Sequence, residues 1–117
     1  MIPQDVEVYV ALEPVNMHLS FDRLAALVTA RMGRSAREPA LYVFLNRRRT
    51  LLKALFFDGT GLCQFYKRLD RGRFQLPKPT QDDGGQVVEM SEAELEQLLD
   101  GLEPGGRVRT EPPRTLH

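Results

Sequence analysis

Asp22, Asp58 and Asp70 are the residues of this chain best suited to demanding chemistry. Three carboxylates gathered around a divalent cation would support phosphoryl transfer. Each has a simpler local task. Asp22 falls in the first turn of a helix, where a carboxylate complements the helix dipole. Asp58 and Asp70 stand next to glycines in turns. Cys63 is the only cysteine, so no intrachain disulfide can form. Its mid-strand position on an apolar face makes it a small hydrophobe, and no histidine lies near it in sequence to activate it. His18 precedes a helix without the Cys or acidic companions of a metal site, and His117 ends the chain. Gly59 and Gly61 form a Gly-x-Gly, but no helix follows to present a phosphate site. These residues point away from an enzyme and imply no metal or cofactor.

What remains is charge. Residues 45–74 carry Arg47, Arg48, Arg49, Lys53, Lys67, Arg68, Arg71 and Arg73 against Asp58 and Asp70, an excess of six positive charges in a formally neutral chain. Residues 81–103 hold eight acidic and no basic side chains. The basic centre and the acidic block either pair with each other in the fold or face partners. Arginine and lysine neutralise phosphates and release counterions, giving affinity for DNA without sequence preference. Tyr66 and Phe57, if exposed, could stack on unpaired bases. The bland alternative is a solvated basic rim that favours solubility.

The elements that must position these groups follow from periodicity. Residues 6–12 alternate and are β-branched, the mark of a strand. Ser20 reads as a helix N-cap, and apolar residues from Phe21 to Met32 recur at helical spacing up to Gly33, a C-terminal stop. Leu41 to Leu45, Leu51 to Phe57 and Leu62 to Leu69 are strands joined by a polar basic turn and by Asp58-Gly59-Thr60-Gly61, an antiparallel meander. In the second hairpin Leu52, Ala54 and Phe56 share an apolar core face with Cys63 and Phe65. The opposite face mixes Leu51, Lys53, Leu55 and Phe57 with Leu62, Gln64, Tyr66 and Arg68, and lies under a helix or is open to a partner. Residues 77–86 read as a loop. Val87 to Met90 fit an edge strand, and Ser91 with Glu94 forms a capping box ahead of a helix with Leu95, Leu98, Leu99 and Leu102 on one face and Glu92, Glu94, Glu96 and Asp100 on the other. The expected fold is α+β: a small antiparallel sheet of four to five strands with two helices. Residues 1–103 form one domain, and 104–117 form a disordered tail.

With 42% hydrophobic residues the chain can bury a small core. It shows neither a membrane-spanning run nor a signal peptide, so a cytoplasmic protein is expected.

The stretch FFDGTGLCQFYKRLDRGRF, preceded by LYVFLNRRRTLLKAL, resembles the small TnpB-like accessory proteins of the insertion-sequence sixty-six family. The likeness extends through Val8-Tyr9, Pro14-Val15-Asn16-Met17 and residues 21–28 upstream and residues 95–101 downstream, so it covers roughly residues 2–102. It implies a role accessory to transposition, beside a separate transposase that carries the catalytic acidic residues. The family offers no established catalytic residues to carry over. This chain departs from its relatives in having no Trp, which they carry near Phe57, Phe65 and Leu76, and in Asn16-Met17-His18 where they show Asp-Met-Arg. The leading expectation is a non-catalytic factor that binds DNA through the eight basic residues named above. The alternative is a module that binds the transposase through Glu92, Glu94 and Glu96, and the third is a metal-dependent nuclease.

Overall fold

A computed structural model describes Pro3 and residues 5–76 and 87–101. The expected tail, the 77–86 loop, His117, Leu102 and the boundary at residue 103 lie outside them. Five strands and two helices follow in the order β1 (Glu7–Ala11), α1 (Phe21–Met32), β2 (Ala40–Leu45), β3 (Leu51–Phe57), β4 (Leu62–Arg68), β5 (Val87–Met90) and α2 (Glu92–Leu99). They make the α+β fold anticipated from the sequence.

The strands form one sheet in the order β4-β3-β2-β1-β5. Three of its pairings are antiparallel, and β1 with β2 is parallel, so the sheet is mixed rather than wholly antiparallel. The cause is the connection. A parallel neighbour needs a crossover of a dozen residues or more, and the 28 residues between β1 and β2 contain α1. Nothing in the alternation of either strand announces which way it will pair.

Helix α1 starts where Ser20 accepts a hydrogen bond from the Arg23 amide and stops where Gly33 adopts φ 66°, a backbone region open to glycine at little cost. Helix α2 starts at a complete capping box, with Ser91 and Glu94 bonding each other's amides. The two helices cover opposite faces of the sheet. Leu24 and Val28 of α1 pack with Tyr42, Phe44 and Leu55. Leu95 and Leu98 of α2 pack with Val8, Val10, Leu41, Val43, Leu52, Ala54 and Phe56. Strand β2 is therefore buried on both faces along its whole length, which is why ALYVFL reads as a continuous apolar run instead of alternating. Full burial contributes roughly 1.5–3 kcal/mol per large aliphatic side chain, so α2 is held chiefly by its two buried leucines.

The β3–β4 register pairs Ala54 with Phe65 and Phe56 with Cys63 and closes with Phe57 opposite Leu62. Leu52, Ala54, Phe56, Cys63 and Phe65 do share the core face, on the α2 side. The mixed face lies partly under α1, where Leu51, Leu55 and Leu62 join the second cluster.

Candidate functional site

The β2–β3 turn is built around Asn46. Its amide oxygen accepts from the Thr50 and Leu51 amides, both at 2.9 Å, and its amide nitrogen donates to the Thr50 hydroxyl. This bracket holds Arg47, Arg48 and Arg49 out into solvent, all three exposed. Arg49 takes φ 61°, a left-handed conformation that costs a non-glycine residue on the order of 1 kcal/mol.

A second basic segment joins the first. Arg68 ends β4 opposite Leu51, next to the turn. The Leu69 amide then bonds the Thr50 carbonyl, and the Phe74 amide bonds the Arg49 carbonyl at 2.7 Å. Phe74 is fully buried in the α2-side core, so residues 69–76 are pinned along the same end of the sheet. Arg71 and Arg73 are carried there and are exposed. Two stretches twenty residues apart thus place six arginines, at 47, 48, 49, 68, 71 and 73, on one rim. Among the described residues, no carboxylate lies within ion-pair distance of Arg47, Arg48, Arg49, Arg68 or Arg73. Elsewhere in the fold, ion pairs join Arg31 to Glu13 and Arg34 to Glu7 and Glu38.

The two lysines of the basic segment are engaged within the fold. Lys53 is only 7% exposed. Its ammonium donates to the Leu19 carbonyl at 3.3 Å and lies 5.0 Å from the Tyr66 ring centroid. Lys67 donates to the Leu99 carbonyl at 2.7 Å, tying edge strand β4 to the C-terminal end of α2, where a cation complements the helix dipole. Both have structural tasks, and Lys67, although next to Arg68 in β4, lies on the opposite face of the strand. Of the aromatics, Tyr66 is 53% exposed and shares a strand face with Arg68. Phe57 is half-buried with the Arg37 guanidinium over its ring.

The acidic helix meets the rim nowhere along Glu92, Glu94 and Glu96. Glu92 accepts from the Asp5 amide, Glu94 serves the capping box, and Glu96 is exposed. Helix α2 begins after β5, whose end pairs with the start of β1. That is the end of the sheet opposite the rim, so α2 starts away from the rim, while its C-terminal end reaches Lys67, the neighbour of Arg68.

The residues that could have made a nuclease are scattered. Asp58 closes the β3–β4 turn at the far end of β3, about 20 Å of strand away from the Asp70 turn. Its carboxylate accepts from the Thr60 amide at 2.8 Å, the Thr60 hydroxyl and the Gly61 amide. These bonds, the Thr60 amide first, hold its pKa down at about 2. Asp22 is exposed on α1. Among the described residues no three His, Cys, Asp or Glu side chains gather as a metal site would require. Cys63 is half-buried, and burial, followed by the neighbouring Asp58, pushes its thiol pKa up, the wrong direction for a nucleophile. His18 is an exposed residue whose amide bonds the Asn16 side chain. No helix among the described residues is long and apolar enough to cross a membrane.

Beside the rim lies a cavity of about 210 Å³. Leu12, Pro14, Leu45 and Leu76 give it apolar walls, Arg47 and Arg49 are its cationic ones, and Asn46 completes the lining. The chain segments that form it meet where the Val15 amide bonds the Leu45 carbonyl. Neither the cavity nor the anchoring role of Phe74 is visible in residue spacing. The only hint of the latter is an aromatic residue inside a polar basic turn.

Comparison with known proteins places the chain. It is 38% identical over 105 residues to the uncharacterised protein y4hO of Sinorhizobium fredii, covering 88% of each chain. It is 29% identical over 98 residues to the uncharacterised protein y4jC of the same organism, covering 84% of this chain and 80% of that one. No solved structure matches it. Residues 6–108 match the family described as IS66 Orf2 like protein, a span that takes in every strand and helix of the fold. The chain therefore belongs to the IS66 Orf2-like family of insertion-sequence-associated accessory proteins.

Proposed function

We propose that the protein is a non-catalytic accessory factor of insertion-sequence transposition that acts in the cytoplasm by binding DNA through Arg47, Arg48, Arg49, Arg68, Arg71 and Arg73. One observation carries the reading. Two separate segments are bonded together at one end of the sheet so that their arginines form a single rim. Guanidinium groups hold phosphate oxygens bidentately and keep their charge at any working pH. Tyr66, exposed on the strand that leads to Arg68, adds a surface on which an unpaired base can stack.

The test is a binding titration against DNA across a salt series. If all six arginines meet phosphates, log affinity falls with log salt at a slope of about −5. Arg48→Ala reduces that slope by about one and weakens binding to all sequences alike. Binding that ignores salt, or no binding, overturns the reading.

A second reading concerns α2. Its outer face exposes Glu92, Ala93, Glu94 and Glu96 at the end of the molecule away from the rim, free to meet a basic surface of the transposase while the rim holds DNA. Reversing Glu96 to Lys, which breaks no bond within α2, abolishes co-purification with the element's transposase if this surface docks it. Unchanged co-purification excludes Glu96 from the contact.

A further inference from the structure

The cavity beside the rim has a chemistry of its own. Its walls combine Leu12, Pro14, Leu45 and Leu76 with Arg47, Arg49 and Asn46, and the Asn46 amide is already bonded to Thr50 and Leu51 within the turn. Leu45, at 2% exposure, makes a fixed floor, and Leu12, Pro14 and Leu76 are half-buried around it. A phosphate would gain from the arginines but not from the leucines. An aliphatic ligand would gain from the leucines but not from the arginines. A planar aromatic heterocycle satisfies both, because its faces pack on aliphatic groups and stack against a guanidinium plane.

Size narrows the ligand further. About 210 Å³ lies below the roughly 300–1,000 Å³ of sites that enclose drug-sized molecules. A complete nucleotide cofactor is too large for it, whereas one base with its phosphates left outside is not. The surroundings supply those phosphates with partners. Arg48 projects from the same turn, and the 68–73 segment is bonded alongside. Arg49 holds its place in a left-handed backbone conformation that glycine would adopt without strain.

We propose that this cavity seats a single unpaired nucleobase of a DNA strand whose backbone lies on the arginine rim. The proposal rests on the DNA-binding reading and sharpens it. The protein would favour DNA ends with single-stranded overhangs, or distorted sites, over an intact duplex, since a paired base cannot enter. Specificity would then come from strand structure rather than from base-edge hydrogen bonds.

Fluorescence anisotropy with three matched DNAs tests it: a blunt duplex, the same duplex with a single-stranded overhang, and that overhang with its bases removed and its phosphates kept. The wild-type protein binds the base-bearing overhang about tenfold more tightly than the abasic one, the scale of one stacked base. Leu12→Trp, which fills the cavity, removes this preference and leaves blunt-duplex binding unchanged. Arg49→Gly removes one wall while relaxing the backbone, so it reduces the preference in a protein that melts no lower than wild type. Equal binding of the two overhangs overturns the proposal, as does a preference that survives in both variants. Failure of the wild type to bind any of the three DNAs overturns the DNA-binding reading itself.

Discussion

Arg48 and Lys53 carry the same charge five positions apart, and the fold gives them different tasks. Arg48 stands in water at the tip of a turn, while Lys53 lies against the Leu19 carbonyl and the Tyr66 ring. Desolvating an ammonium that has no carboxylate partner among the described residues costs more than a carbonyl and a ring return. Lys53→Met, which keeps the aliphatic stem, therefore leaves the melting temperature unchanged or raised and leaves DNA affinity and its salt slope intact. A clear loss of affinity would place Lys53 in the interface. Asp58 has a different kind of influence. Its folded pKa of about 2 lies below the ordinary value of 3.8. The stability it contributes is thus present above about pH 4 and is lost as pH falls through about 2. In denaturant melts over that window, Asp58→Ala loses less stability than the wild type, because it lacks this carboxylate. Parallel curves would show that the turn does not need the charge. None of this was legible at single positions. Composition marks a residue as basic or acidic, and only its neighbours in space say whether it faces a partner.

Helix α2 shows how an element can be predictable in itself and unplaced in the fold. Its capping box and its Leu95 and Leu98 face follow from the sequence, since both depend on residues three or four apart. That the face covers the β1–β3 side of the sheet depends on contacts across the chain. Leu98→Ala destabilises the protein by about 2–5 kcal/mol in denaturant unfolding, as for other buried leucines. A loss under about 1 kcal/mol would mean that α2 is not part of the cooperative core. Lys67 fastens the same helix from the other side through the Leu99 carbonyl, so β4 and α2 support each other. The hairpins were equally readable. Turn chemistry at Asp58-Gly59-Thr60-Gly61 and the apolar face shared by Leu52, Ala54 and Phe56 determine register locally. The parallel pairing of β1 with β2 was not, because direction is set by the crossover that α1 makes and not by either strand's pattern.

At the scale of the described fold, the arginine rim and the acidic start of α2 stand at opposite ends of the sheet. The arginine rim occupies the end where β2 turns into β3, and the start of α2 lies at the other. On the function proposed above, one end meets DNA and the other meets protein. The salt slope and the transposase association described above are therefore separable properties: variants at Arg48 change the first only, and variants at Glu96 the second only. The sequence by itself determined the α+β class, the bounds of α1 and the start of α2, the faces of the central hairpin and the local excess of positive charge, because each depends on residues within a few positions of one another. Only the tertiary structure decided which basic residues are presented, how far the acidic helix stands from them, and that a cavity lies beside the rim. Those outcomes depend on backbone bonds and burial that join residues 12–15, 45–50 and 68–76, such as the bond from the Phe74 amide to the Arg49 carbonyl. Local periodicity carries no record of contacts formed across that distance in the chain.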